Sequence, residues 1–408
     1  MIDRTNPSSP PLPTHGRDRR RSDPAWTAPF AGRSVFVTGH TGFKGSWLCL
    51  WLESMGAHIT GYALSPPTNP NHFEIAGIRE LLVRHHEADI RDEQTLCAAI
   101  DEAQPDVILH LAAETIVRRG FRLPREAFDV NVMGTVSVLE CVRRLARPCV
   151  VVAVTSDKCY ENREQVWGYR ECDPMGEHDP YGASKGAAEL VVRAYRDSFF
   201  PADRLERHGI KLASVRAGNV IGGGDFTEDA LLVDAVTALR DRQPIRVRNP
   251  RCLRPWQHVL QALSGYLTLT SRMLQSDDPS LCSGWNFGPY PGNELSVREV
   301  VELLIRYWGY GSWLDVSDPN QPAESRILRL AIDKAIWDLG WKPHWDIFTT
   351  LRHTLHWYQA YFHGMESMAN LAREQITAFE QSFLDEPTLL PPVGADVVAD
   401  ITSLLALR

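Results

Sequence analysis

Five side chains in one stretch of the chain have the types needed to move protons at a hydroxyl-bearing carbon: Ser156, Asp157, Lys158, Tyr181 and Lys185. Tyr181 and Lys185 are four residues apart, which on a helix puts both on one face. An ammonium beside a phenol favours the phenolate and lowers its pKa. The phenol can then take a hydroxyl proton while hydride leaves the same carbon. Ser156, or its neighbour Thr155, would donate to the substrate oxygen from the end of a strand. Tyr-x-x-x-Lys alone is weak evidence, and its weight comes from what lies upstream.

There the chain reads Thr38-Gly39-His40-Thr41-Gly42-Phe43-Lys44-Gly45, a G-x-x-G-x-x-G between an apolar strand and a helical pattern. Glycines here permit a tight turn, close approach of backbone N–H groups to a pyrophosphate, and a helix N-terminus seated on the anion. Gly39, Thr41, Gly42, Phe43, Lys44 and Gly45 are therefore the expected dinucleotide contacts. A P-loop is excluded, because Lys44 precedes Gly45 where that motif needs Gly-Lys-Ser/Thr. The acid that normally grips the ribose is missing, since no carboxylate lies between Glu53 and Glu74. The residues themselves choose neither NAD nor NADP. Asp89-Ile90, after the third strand, could hold the adenine end, or Asp89 could be a plain turn residue.

Positioning such groups requires strands that end together. Ser34–Thr38, His58–Tyr62, a short run ending near Asp89, Asp106–Leu111, Cys149–Thr155 and Ile210–Arg216 read as buried strands. Helical patterns alternate with them over Gly42–Met55, Asp92–Ala103, Pro124–Leu145 and Tyr181–Phe200. That alternation predicts an α/β fold: a doubly wound parallel (Rossmann) sheet over residues 32–220. Helices expected at Glu228–Arg240, Val259–Leu274, Ser296–Trp308 and Trp345–Phe362 form a smaller lobe over 221–365, interleaved with the first domain. Residues 1–31 read as a disordered extension, and 366–408 as a C-terminal helix and tail.

Composition narrows the classes. At 44% hydrophobic and 23% charged over 408 residues, the chain has a globular protein's make-up. A net charge of −8 argues against a nucleic-acid coat. No apolar run reaches the ~18–20 residues of a membrane span. The eight cysteines show no C-x-x-C and no zinc spacing. With no apolar signal segment, they read as scattered thiols in a reducing, cytoplasmic setting. His353-x-x-His356 lacks the Glu and third ligand of a zinc helix, so no metal is expected.

Several motifs resemble the extended short-chain dehydrogenase/reductase family, and within it the branch of CDP-glucose 4,6-dehydratases. They are Val37–Ser46, Asn131–Thr135, Thr155–Asn162, Tyr181–Lys185, Gly218–Asp225, Arg254–Val259 and Trp285–Pro289. The resemblance implies NAD as cofactor, with Ala112, Ala113, Tyr181 and Lys185 among its contacts. It implies a nucleotide-diphosphate hexose as substrate, held by Asn219 and by Arg254 on the diphosphate, and a homo-oligomer, a dimer or dimer of dimers. The implied reaction oxidises C4, eliminates water across C5–C6 and returns the hydride to C6. By analogy Asp157 is the acid for the C6 hydroxyl. Lys158 stands where dTDP-glucose enzymes carry a glutamate base, so it is either the C5 base or a partner of Asp157 or Glu161. An epimerase of the same fold would carry small or apolar residues in place of Asp157-Lys158, and a non-catalytic dinucleotide-binding protein would lose Tyr181 or Lys185. The chain departs from the family at Ala230, where relatives often have Arg, and at Glu114, where they commonly have Gln.

Overall fold

Runs of valine and isoleucine that are apolar on both faces pack only where helices cover both sides of a sheet. The computed structural model, which describes residues 26–318, 327–364 and 367–384, has that arrangement. Its main sheet contains β1 (Ser34–Thr38), β2 (His58–Ala63), β3 (Arg84–Glu87), β4 (Val107–His110), β5 (Cys149–Val154), β6 (Ile210–Ala217) and β7 (Gly284–Phe287). Every pairing is parallel, in the order β7-β6-β5-β4-β1-β2-β3. The chain winds outward from β1 in one direction and from β4 in the other. Their shared carboxyl edge is the switch point where such sheets bind ligands.

The longer helices are α1 (Phe43–Ser54), α2 (Glu93–Ala103), α3 (Gly134–Arg144), α4 (Pro180–Ser198), α5 (Leu231–Arg240), α6 (Val259–Gln275), α7 (Val297–Trp308), α8 (Ile347–Phe362) and α9 (Met368–Gln381). On one face of the sheet Phe36, Val151 and Leu212 pack with Leu96, Leu139 and Val192 of α2, α3 and α4. On the other, Val35, Val37 and Val152 join Leu48 of α1 and Leu263 of α6, in a core that continues into the smaller lobe through Trp341 and Trp357. Helix α1 is buried along most of its length, and Trp47 Nε1 donates to Gly223 O at 2.8 Å. Ser296 and Glu299 close a capping box at the start of α7.

Three expectations need correction. The helix read over Pro124–Leu145 is interrupted by a π-turn at Asp129–Met133, between a short helix at Pro124–Phe128 and α3. Its cause is Asn131, whose side chain leaves the helix to bond Glu114 N (2.9 Å), Glu114 O (3.0 Å) and Ser184 Oγ (2.8 Å). The helix expected from Glu228 begins at Leu231, because Asp229 sits at φ +64°. The cysteines are not all free thiols: Cys97 of α2 and Cys141 of α3 form a disulfide, while Cys49, Cys149, Cys159, Cys172, Cys252 and Cys282 are unpaired.

The extension read over residues 1–31 lies outside the described residues only as far as 25. Phe30 is fully buried, and the Trp26 ring lies 5.5 Å from both Trp51 and Phe383. Phe383, where the sequence suggested a tail, also meets His344 at 3.8 Å. The tail beyond Leu384 is outside the described residues. If Trp26–Phe30 is core, Phe30→Ala should cost roughly 3–5 kcal/mol. Urea unfolding checks this, and a loss under about 1 kcal/mol would return the segment to the extension.

Candidate active site

The turn after β5 and the first turn of α4 are built to meet. Ser156 caps a short 3-10 turn over Asp157–Cys159, accepting from Lys158 N at 3.2 Å and donating to Asp157 Oδ1 at 3.0 Å. Asp179 caps α4, accepting from Gly182 N at 2.8 Å, with Pro180 in the first turn. A Cβ at Gly182 would stand 2.7 Å from Lys158 O, and one at Gly186 2.9 Å from Cys159 O. Only glycine at both positions lets α4 lie directly on the catalytic turn. Tyr181 and Lys185 come to the same face, both buried.

The contacts bear on two open alternatives. The Ser156 hydroxyl is near enough to Tyr181 to favour its ionised form, whereas Thr155 Oγ1 turns away to Glu189 Oε1 at 2.5 Å. Ser156 is thus the hydroxyl beside the phenol. Lys158 Nζ donates to Asp179 Oδ2 at 3.2 Å, a partner other than the Asp157 or Glu161 expected from sequence.

Burial dominates the electrostatics. It raises the Asp157 carboxyl above the usual range, against the Ser156 bond and the charges of Lys158 and Lys44. Asp157 Oδ2 has no hydrogen-bond partner, and a Cβ at Gly218 would lie 2.7 Å from it. Asp225 is raised for the same reason. Lys44 is held down to about 8 by burial, and Lys185 to about 8 by burial and by the nearby charge of Lys44. Tyr181 departs from expectation. In the protein alone burial pushes the phenol up, and the opposing influence is the Ser156 hydrogen bond.

The glycine turn has the shape a dinucleotide needs. Gly39 sits at φ +74°, with Ala112 N 2.6 Å from where its Cβ would be, and a Cβ at Gly45 would collide with Gly39 O. Gly42 caps α1 with no side-chain acceptor, so the first-turn N–H groups face the turn. Thr38 Oγ1 accepts from Leu111 N and Ala112 N, both at 3.1 Å, which sets Ala112 and Ala113 beside it. Phe43 closes the far side, 3.1 Å from a Cβ at Gly222. Thr41 Oγ1 donates to Leu64 O at 2.9 Å, just after β2. These residues fit the pyrophosphate of a dinucleotide such as NAD.

Asp89 is engaged within its own turn: its carboxylate pairs with Arg91 and accepts Arg91 N at 2.9 Å. Ile90 is buried against Gly134. Gly218, which precedes Asn219, lies between Asp157 and Pro255, which follows Arg254, so both residues belong to segments that meet beside the acid. Asn219 O accepts from Gln257 N at 3.0 Å, and the Arg254 guanidinium donates to Leu253 O at 3.0 Å. The His353/Trp357 stripe packs inside the lobe, with His353 stacked on Trp345 at 4.1 Å. Sequence reasoning missed Asp179, Glu189 and Arg216. Glu189 could have been found, since it lies one turn beyond Lys185 on the same face of α4. A cavity of about 980 Å³ lined by Arg170, Glu171, Arg193 and Lys334 does not include Tyr181, Ser156 or Asp157.

A parallel seven-stranded sheet, a glycine turn at its switch point and a buried Ser-Tyr-Lys cluster define a nicotinamide-dependent enzyme of the extended short-chain class. Residues 36–354 match the family described as GDP-mannose 4,6 dehydratase, and the chain belongs to it. It is 47% identical over 344 residues to the CDP-glucose 4,6-dehydratase of Salmonella typhimurium, covering 84% of this chain and 95% of that protein. It is 24% identical to a UDP-glucose 4-epimerase of Halalkalibacterium halodurans, over 81% of this chain and 97% of that one. The fold matches the dTDP-glucose 4,6-dehydratase DesIV of Streptomyces venezuelae, solved with NAD bound, at TM-score 0.69 and 24% identity, covering 82% of this chain and 99% of that one.

Proposed function

We propose that this chain converts CDP-glucose to its 4-keto-6-deoxy derivative, with NAD regenerated in each turnover. The observation that carries the reading is the buried carboxyl of Asp157: one oxygen is tied to Ser156, the other is free, and desolvation favours its protonated form. Loss of a C6 hydroxyl needs such an acid, and epimerisation at C4 does not. The 47% identity to a CDP-glucose 4,6-dehydratase supports the nucleotide and the sugar.

When bound, NAD supplies a reversible acceptor for hydrogen and an electron pair. The chain supplies the proton transfers. Ser156 orients the 4-hydroxyl and Tyr181 takes its proton, with Lys185 stabilising the phenolate that precedes each transfer. The resulting ketone acidifies the C5 proton. Asp157 protonates the departing C6 hydroxyl. Lys158 is the C5 base in the reading that the resemblance implies. Its hydrogen bond to Asp179 favours a second reading, in which it orients the turn against the α4 cap. Asn219 and Arg254 hold the sugar nucleotide, with the guanidinium on the diphosphate.

Incubation with CDP-, dTDP-, GDP- and UDP-glucose tests the substrate; a 4-keto-6-deoxy product is expected with CDP-glucose, and its absence refutes the reading. Tyr181→Phe should abolish product and C5 proton exchange together, by a factor of about 10²–10⁴. Asp157→Asn should lose product while still exchanging the C5 proton. Lys158→Met should lose both if lysine is the base. Exchange at the wild-type rate in Lys158→Met leaves only the orienting role.

Lys44 and Lys185, held down to about 8, are charged below that pH and neutral above it. An anionic pyrophosphate binds the charged forms, so affinity for NAD should fall as pH rises through 8. At pH 9 about a tenth of each remains charged. Calorimetric titrations at pH 7 and pH 9 check this, and equal affinities would remove both lysines from the phosphate field.

We further propose that the protein is a homo-oligomer paired through α4 and the helical run preceding α3. Phe128, Met133, Leu190 and Phe199 there are 39–56% exposed, an apolar cost for a lone chain. Sedimentation velocity should show a dimer or larger species, reduced to monomer by Leu190→Lys. A wild-type monomer at micromolar concentration would refute the pairing.

A further inference from the structure

Glu189 of α4 and Arg216 of β6 form an ion pair with each side chain only 4% exposed. The pair is bidentate: Arg216 Nε donates to Oε1 at 2.8 Å and Nη2 to Oε2 at 2.7 Å. Glu189 Oε2 also accepts from Ser214 Oγ at 2.7 Å. The other bonds of the pair lead to the catalytic turn. Thr155 Oγ1 donates to Glu189 Oε1 at 2.5 Å, and Thr155 immediately precedes Ser156. Arg216 Nη1 donates to the Tyr160 hydroxyl at 2.5 Å, and Tyr160 immediately follows Cys159. That hydroxyl in turn donates to Asn286 Oδ1 of β7 at 2.8 Å.

One charged unit therefore grips both ends of the segment Ser156–Cys159. Because Glu189 shares α4 with Tyr181, the unit also ties that segment to the helix carrying the base. Buried ion pairs can often be replaced by apolar residues at no loss of stability, so what this one adds is fixed geometry.

We propose that Glu189 and Arg216 are positioning residues, which act through Thr155 and Tyr160 to set Ser156 and Asp157 against Tyr181. The inference rests on the roles given above to Ser156 and Asp157. Replacing Glu189 or Arg216 directly strands a buried charge and threatens folding, so the test uses the hydroxyls at the two ends. Thr155→Val and Tyr160→Phe each remove one bond to the ion pair, along with a second bond of the same hydroxyl (to Val215 O at 3.3 Å and to Asn286 Oδ1 at 2.8 Å), and leave the ion pair itself in place. Displacement of a reacting group by a fraction of an ångström should lower kcat about tenfold in each, with KM for CDP-glucose within about twofold. Thr155→Ser, which keeps the hydroxyl, should restore kcat.

Thermal unfolding of each variant, measured alongside, separates positioning from mere support. A lowered midpoint with wild-type kcat in the folded enzyme overturns the proposal, as does a loss in Thr155→Val that Thr155→Ser does not repair. A loss at one end alone overturns the two-ended grip. Ser156→Ala and Asp157→Asn are assayed in parallel. If these two retain activity, the reading of the site has failed. If they are inactive while Thr155→Val and Tyr160→Phe turn over normally, only the positioning role has failed.

Discussion

Removal of water from the switch-point edge of the sheet governs the chemistry of this protein. Tyr181, Asp157, Asp225, Lys44 and Lys185 all sit where burial is the largest influence on their ionisation, and each moves toward its neutral form. In water a carboxyl and a phenol lie about six pKa units apart, and a lysine lies near the phenol. Burial narrows the distance between the carboxyls and the amines. Carboxyls rise, ammonium groups fall to about 8, and proton movements among them need smaller free-energy changes. Bringing two such groups one pKa unit closer makes a proton transfer between them easier by about 1.4 kcal/mol.

The same desolvation bears on which reaction the fold supports, through one residue. A Ser-Tyr-Lys cluster can oxidise and reduce a carbinol carbon, and the proteins similar to this chain include a UDP-glucose 4-epimerase as well as 4,6-dehydratases. Elimination adds a demand for a proton donor one carbon beyond the ring. In the role proposed for it, Asp157 would meet that demand because it is buried and keeps Oδ2 unbonded. A water-exposed aspartate at that place would be ionised at neutral pH and could accept protons only.

Much of this was readable from residue order, because parallel strands and their glycine turn depend on local pattern. The sheet, the cradle of Gly39 and Gly45, and the Tyr181–Lys185 face all follow from spacing. Partners across the fold did not. Lys158 could be placed on the turn, but nothing in its neighbourhood pointed to Asp179, twenty-one residues on. Glu189 and Arg216 come from a helix and a strand that meet only when the sheet closes. The π-turn escaped for a similar reason: the Asn131 side chain that opens it does so toward Glu114 and Ser184, residues of other segments. The direction in which Tyr181 moves is hidden too, because the lysine at four residues' distance is visible in sequence, whereas the packing that dries the phenol is not.

The small lobe and the chain's ends bear on the same site through α1. The N-terminus of that helix forms one wall of the cradle, so its placement must be held to a fraction of an ångström. Trp47 Nε1 bonds Gly223 O at 2.8 Å, Trp51 Nε1 bonds Glu380 Oε1 at 2.8 Å, and Glu53 pairs with Arg373 at 3.3 Å. The helix is thereby pinned along its length by the lobe and by α9, while Trp26 packs on Trp51 from the amino-terminal side. A bare glycine turn has little of its own to keep it in place, because glycine loses more entropy on ordering than any other residue. Fixing the helix behind it offsets that cost. Residues 26–30 and α9, remote from the catalytic groups in sequence, therefore belong to the machinery that keeps the cradle in shape.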